Sequence, residues 1–217
     1  MTPTVGAGGT SITTASFTPT LGALLIALGS CRGASLPGAL TLNPSALTWT
    51  PLVADLFDDG AAPRVRARAW AAVVSAATAM TVQVTSTSAG KCALAIVQIT
   101  GAGGIPSNYA SSNDSGADMT VVLPSAPAAS STVVGWYAAG GSTAVSPPAG
   151  FTELDDQVFS SDLRVQAVYD AVSAATSTSW STTNTNGVGI LVEVQESSGA
   201  ARVLRPRARR FTQMMVR

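Results

Sequence analysis

The side chains that most often carry enzyme chemistry are scarce in this sequence. Its 217 residues include no histidine and only two cysteines, Cys31 and Cys92. Ser-His-Asp and Cys-His catalysis both need an imidazole base, so neither can operate here. A zinc site needs four ligands, which two distant cysteines cannot supply. The sequence therefore predicts neither nucleophilic catalysis nor a zinc site.

Carboxylates are the remaining candidates for acid-base chemistry. A glycosidase uses two of them, one held protonated by an apolar setting. The candidates are Asp58, Asp59, Glu153, Asp155, Asp156 and Asp162. All fall where turns are predicted, and no pair has an apolar setting. We interpret them as solvated turn residues and expect that the protein is not an enzyme.

Two kinds of loop resemble ligand sites without meeting their requirements. Residues 113–118 (Asn-Asp-Ser-Gly-Ala-Asp) offer oxygen ligands for Ca²⁺ but lack the full EF-hand pattern. Residues 6–9 and 101–104, both Gly-Ala-Gly-Gly, lack a third glycine at the required spacing and the following helix of a dinucleotide site. We read the glycine segments as flexible loops and predict no cofactor and no metal, with calcium at 113–118 left as an alternative.

Aromatic side chains could form a sugar-stacking platform, as they often do on β-sandwiches. The candidates are Trp49, Tyr109, Trp136, Tyr137 and Trp180. Trp136 lies in a core-type strand, so we expect at most one or two exposed rings. Glycan binding is therefore kept as the alternative to a structural role.

Arginines are the strongest candidates for binding a partner. Residues 1–199 hold six basic residues and all twelve acidic ones, whereas the last 18 residues hold six arginines and no acid. A basic tail on an acidic body indicates a partner for the tail. The tail residues predicted to bind are Arg202, Arg205, Arg207, Arg209, Arg210, Phe211, Met214 and Met215. Because apolar residues accompany the charge, the pattern favours docking on a protein over binding nucleic acid.

A second group, Arg64, Arg66 and Arg68, alternates with Val65, Ala67 and Ala69. This period-2 pattern predicts a half-buried strand with arginines on one face. Such a stripe is either a solvated face or a contact with an acidic neighbour, and the pattern alone leaves both open.

A duplication organises the elements that must position these residues. Val74-Ser75-Ala76-Ala77-Thr78 returns as 172–176, and upstream Val65 and Ala67 align with Leu163 and Val165. The matches keep their order, which predicts two similar halves, about 10–100 and 117–197. Both pairs of aligned residues should point into the core.

Strand signals recur along both halves without a convincing helix, which predicts an all-β fold, a β-sandwich or jelly roll. We expect ten to twelve strands in a single sandwich spanning 10–197. Residues 1–9 should form an extended N-terminal arm, residues 101–116 the joint between halves, and residues 198–217 the arginine-rich C-terminal tail. Cys31 and Cys92 are expected to be buried apolar residues, with a disulfide the less favoured alternative.

The apolar run 21–31 looks like the core of a secretion signal ending at a cysteine. No base precedes it, and its counterpart 132–137 lies mid-chain, so both are predicted to be core strands. The run is also too short to span a membrane.

With the halves aligned, the chain resembles the Ala-, Gly-, Ser- and Thr-rich β-sandwich proteins found in virions of tailed bacteriophages. The segments that carry the resemblance are 24–28 (LLIAL), 147–153 (PPAGFTE), 163–169 (LRVQAVY) and 189–194 (GILVEV). The resemblance implies a structural virion protein, located on the particle after assembly in the host cytoplasm. The expected role is capsid decoration or cement, and the alternative is a tail or head-fibre adhesin binding host glycans. Expected partners are the major capsid protein or tail and neck subunits, together with further copies of this chain.

Overall fold

The computed structural model describes residues 4–6, 10–35, 37–43, 47–58, 60, 64–114, 118–159, 163–171, 175–182 and 186–197. Within these ranges the chain forms strands, turns and irregular segments, which confirms the predicted all-β class. In the same ranges, no helix long and apolar enough to cross a membrane is found. The strands are β1 (Thr4–Gly6), β2 (Ser11–Thr13), β3 (Leu24–Gly33), β4 (Thr41–Asn43), β5 (Thr50–Phe57), β6 (Arg64–Val73), β7 (Gln83–Thr85), β8 (Lys91–Ile99), β9 (Tyr109–Asp114), β10 (Asp118–Val122), β11 (Thr132–Gly140), β12 (Val145–Ser146), β13 (Thr152–Phe159), β14 (Leu163–Asp170), β15 (Ser177–Thr182) and β16 (Gly187–Val194).

The described strands form four antiparallel sheets, two from each half of the chain. The first half makes a five-stranded sheet in the order β1-β8-β3-β6-β5 and a three-stranded sheet β2-β7-β4. The second half makes a five-stranded sheet β9-β16-β11-β14-β13 and a three-stranded sheet β10-β15-β12. The same order therefore occurs twice, although the duplication itself stays a prediction.

Three apolar clusters lie between these four sheets. The central core combines Leu28 of β3 and Ala67 of β6 with Trp136 of β11 and Ile190 of β16, so the two five-stranded sheets pack face to face. Each outer face is covered by the three-stranded sheet of the same half. The β-sandwich is confirmed, and each of its two five-stranded sheets carries a three-stranded sheet on its outer face.

Small side chains explain why both faces of a five-stranded sheet are covered. Strand β6 contributes only Val65, Ala67, Ala69 and Ala71 to the central core. An alanine-rich sheet face has little volume with which to close a core by itself. Burying both of its faces recovers apolar contact area that one thin layer could not supply.

The register of the two halves agrees at the strands that matter for the candidate site. Phe57 pairs with Val65 in the first half, and Phe159 pairs with Leu163 in the second. Each of β5 and β13 has one bulge, between Pro51 and Val53 and between Glu153 and Asp155. These pairs make Arg66 equivalent to Arg164, and Ala54 equivalent to Asp156.

The faces predicted from alternation are confirmed. Val65, Ala67 and Leu163 are fully buried and Val165 is 1% exposed, all within the central core. A shift of one residue would have reversed every side chain on these strands.

Two predicted connections turn out to contain strands. Residues 101–116 were expected to be only the joint, yet β9 lies there and pairs with β16. Part of the predicted N-terminal arm, β1, pairs with the edge of β8. In both places a neighbouring strand supplies the hydrogen bonds, so weak local strand preference is overridden.

The cysteines are buried, as predicted, and they form the disulfide that was the less favoured alternative. Cys31 of β3 lies directly opposite Cys92 of β8, with 4.1 Å between their Cα atoms. Both are buried under the first three-stranded sheet. Only strand register could reveal this proximity, because the two residues are 61 positions apart in sequence.

Candidate interaction surface

The tail residues predicted to bind a partner, Arg202 to Met215, lie outside the described residues. The described chain ends at Ser197, beside the connection between the halves. Ser197 N donates to Gly101 O at 2.8 Å, and Gly103 N donates to Gln195 O at 2.8 Å. The tail therefore starts from a segment that is hydrogen-bonded to the connecting loop.

The arginine stripe, defined as Arg64, Arg66 and Arg68, lies on the outer face of β6. Alternation along the strand sends the intervening residues into the central core, and all three arginines are partly exposed. Opposite them, the edge strand β5 places Leu56 beside Arg66 and Ala54 beside Arg68. On the side of the edge strand β5, the arginine stripe therefore borders apolar residues.

Two members of the stripe have partners within their own half. Arg64 Nε lies 2.7 Å from Asp58 Oδ1, and Arg64 Nη2 donates to Gly60 O at 2.9 Å. Arg68 Nη1 donates to Leu40 O at 3.1 Å, and its guanidinium lies 5.4 Å from the centroid of the Trp70 ring. The cation-π contact fixes the orientation of Arg68 but leaves its charge without a carboxylate.

Arg66, the middle member, has no such partner among the described residues. Its Nε is buried and donates to no acceptor there. A buried donor without an acceptor costs free energy, commonly about 1–3 kcal/mol. Because Arg64 and Arg68 already have partners, Arg66 is the position on this face where an incoming carboxylate would have most effect.

The second half shows what a completed version of the same site contains. Arg164, equivalent to Arg66, forms an ion pair with Asp156 and donates from Nη1 to Ser142 O at 3.2 Å. Gln166, equivalent to Arg68, is fully buried and donates from Nε2 to Glu153 Oε2 at 2.9 Å. One half thus neutralises its arginine internally, whereas the other has Ala54 where the acid would stand.

Comparison with known proteins gives no further information about this surface. No protein-family model, curated protein or solved structure matches the chain. Its own residues therefore carry the functional interpretation.

Most of the described side chains considered as candidates for acid-base chemistry and for calcium lie on strands, and several make contacts within the fold. Glu153, Asp155 and Asp156, which we placed in turns, lie on β13 instead. Asn113 donates from Nδ2 to Asp55 Oδ1 at 2.8 Å, which joins β9 to β5 across the two halves. Within the described ranges, no group of three or more His, Cys, Asp or Glu side chains could hold a metal ion.

Most large aromatic rings are used in packing. Trp136 and Trp180 are fully buried, and Tyr137 and Trp180 stack with their ring centroids 6.1 Å apart. Trp49 and Tyr109 are partly buried and pack against two different cores. The rings of the described residues therefore do not form a shared exposed platform.

A buried carboxylate, Glu193 of β16, is a feature that we missed in the sequence. It is 2% exposed, Asn108 Nδ2 donates to its Oε2 at 2.6 Å, and Ala128 N donates to its Oε1 at 2.7 Å. Burial alone would raise the pKa of Glu193, but bonds from Asn108, Ala128, Ser131 and Gln195 outweigh it and leave that pKa lowered. The sequence did carry a signal for this buried carboxylate, because Glu193 is the one charged residue in the apolar run 187–194.

Glu193 lies next to a cleft of about 350 Å³ beside the C-terminal end of the described chain. The cleft is lined by residues 103–108 together with Glu193 and 195–197. Both oxygens of the carboxylate are occupied by protein donors. We therefore assign Glu193 a positioning role: it holds the connecting loop against β16, from which the tail departs.

Proposed function

We propose that this protein is a structural subunit of a tailed-bacteriophage virion. In this proposal it is a capsid decoration or cement protein that binds neighbouring capsid subunits. The all-β sandwich architecture supports the resemblance from which the proposal starts. The proposal assigns the protein no catalytic role and no cofactor.

The observation that carries the proposal is the contrast between Arg66 and Arg164. Equivalent positions in two similar sheets hold the same residue type, yet only Arg164 has a carboxylate partner among the described residues. A carboxylate supplied by a neighbouring molecule would complete Arg66 in the same way. Hydrogen bonds to charged groups contribute about 1.5–3 kcal/mol, enough to make this face a productive contact.

The tail supplies the second attachment element of the proposal. It contributes six arginines and no acid, followed by the apolar residues Phe211, Met214 and Met215. On an acidic particle surface the arginines would steer docking and the apolar side chains would slow dissociation. The expected partner is the major capsid protein, or a tail or neck subunit, and the expected location is the virion.

A glycan-binding adhesin receives no comparable support. Sugar recognition of the kind we considered needs adjacent exposed rings, and Trp136, Trp180 and Tyr137 are buried. We therefore do not advance it as a second function.

Immunoelectron microscopy tests the proposal. Particles purified by density gradient from the source culture would be labelled with an antibody to this chain, and an irrelevant antibody would serve as the control. We expect regularly spaced label on the capsid, and the chain should co-migrate with the particles through the gradient. Chain found only in the soluble fraction, with unlabelled particles, would contradict the proposal.

A further inference from the structure

Two equivalent edges of the molecule carry opposite charge. The pair β5 and β6 holds three arginines and one acid, Asp55. The equivalent pair β13 and β14 holds one base, Arg164, and four acids. Those acids are Glu153, Asp155, Asp156 and Asp170. Both β5 and β13 stand last in their sheets among the described strands, so each pair borders open surface.

The charges differ position by position and not only in sum. Ala54 of β5 corresponds to Asp156 of β13, and Pro51 corresponds to Glu153. The carboxylates that the arginine stripe lacks are therefore the ones that the other edge possesses. The arginine stripe of one copy and the β13 edge of another copy are therefore complementary in charge.

Glu153 is the acid best placed to reach a second molecule. It is exposed, and its Oε2 accepts one bond from Gln166. No described residue donates to its Oε1, and an ionised carboxylate can accept several hydrogen bonds. Glu153 can therefore accept a bond from an arginine of another molecule without losing the bond from Gln166.

We propose that the arginine stripe docks on the β13 edge of a second copy of this chain. This inference rests on the proposed function, because it names one neighbour of the stripe on the particle. Arg66 and Arg68 of one copy contact Glu153 of the next copy. Glu153 thereby supplies the carboxylate that is missing beside Arg66, where β5 has Ala54. Since the two surfaces differ, the contact is heterologous and generates a ring or an open row of copies.

Charge exchange tests this contact directly. Sedimentation velocity of the full chain at low salt would be compared for wild type, Arg66→Glu, Glu153→Lys and an equimolar mixture of the two variants. We expect concentration-dependent association of the wild type and at least about tenfold weaker association of each variant alone, corresponding to about 1.4 kcal/mol. In the mixture the stripe of each variant can contact an edge of opposite charge on the other variant, so association should return.

Three results would overturn the inference: a wild type that is monomeric at all concentrations, an Arg66→Glu variant that associates normally, or a mixture that fails to recover. Thermal melting of each variant checks its folding. If either reversal unfolds the chain, Arg66→Gln and Glu153→Gln replace it, and both should weaken association. Antibody label on particles from a wild type that does not self-associate would contradict this inference while leaving the proposed function in place.

Discussion

Replacing Glu193 by glutamine probes the buried carboxylate that holds the connecting loop against β16. Glutamine keeps the shape of the side chain but turns one acceptor oxygen into an NH₂ donor. In the wild type, one carboxylate oxygen accepts a hydrogen bond from Asn108 Nδ2 and the other accepts one from Ala128 N. The new NH₂ group must therefore face one of these two donors. Reversing the amide of Asn108 is no remedy, since its Nδ2 also donates to Ser125 O at 3.0 Å.

The cost follows from these contacts. One charge-assisted hydrogen bond is lost and one buried donor is left unsatisfied, for a combined loss of about 2–4 kcal/mol. For a chain of this size, such a loss lowers the melting temperature by roughly 5–15 °C. The matched control is Asp118→Asn, an exposed position with no partner among the described residues, which should change stability by less than about 0.5 kcal/mol.

The pH dependence has a definite sign. Because the folded pKa of Glu193 lies below its ordinary value of 4.5, the carboxylate stabilises the folded state above that value. The stabilisation is lost as pH falls through the folded pKa. The difference between wild type and Glu193→Gln should therefore be full at pH 7 and shrink progressively below pH 4.5.

Differential scanning calorimetry at pH 7 and across the acidic range measures both effects. A Glu193→Gln variant that melts within about 1 °C of wild type at pH 7 would refute this reasoning. A loss of about 2–4 kcal/mol in the free energy of unfolding must lower the melting temperature by more than that. A difference that grows on acidification would refute the assigned sign.

Three further predictions concern the disulfide, the central core and the tail. Opening the Cys31–Cys92 bridge, which closes a loop of 61 residues, should cost about 4 kcal/mol; two titratable thiols in unfolded, unreduced protein would contradict the bridge. Val165→Asp buries an unpaired charge in the central core and should abolish folding, so a soluble variant with a cooperative melt would rule out burial there. Deleting 200–217 should leave the melting temperature nearly unchanged while lowering occupancy on particles, and full occupancy of the truncated chain would exclude the tail as an anchor.

Much of the fold could be predicted because the alternation of polar and apolar residues along a strand indicates which side chains face the core. The sequence Arg-Val-Arg-Ala-Arg-Ala identifies β6 and the direction of each side chain without any long-range information. Strand β9 lies in a Gly-, Ser- and Asn-rich segment with little preference for strand, and it forms because β16 offers an edge. The number of layers likewise depends on which sheet faces meet, which local pattern does not encode.

The candidate site was predictable only in part, for the same reason. Alternation places Arg66 on an outer face, but whether it is neutralised depends on Ala54, which register brings alongside β6 from another strand. The partner of Cys31 and the donors to Glu193 are similarly set by residues distant in sequence. Such pairings follow from register and loop path, so they emerge only with the structure.

The central claim is that the arginine stripe docks through Arg66, which lacks a carboxylate partner within its own half. The most direct test is Ala54→Asp, which copies Asp156 and gives Arg66 an acid within its own sheet, with Ala54→Asn as the neutral control of similar shape. The measurement is the dissociation constant for self-association of each variant, determined by sedimentation velocity at low salt. We predict at least about tenfold weaker binding for Ala54→Asp, equivalent to about 1.4 kcal/mol, and near wild-type binding for Ala54→Asn. Equal binding by wild type and Ala54→Asp would contradict the claim.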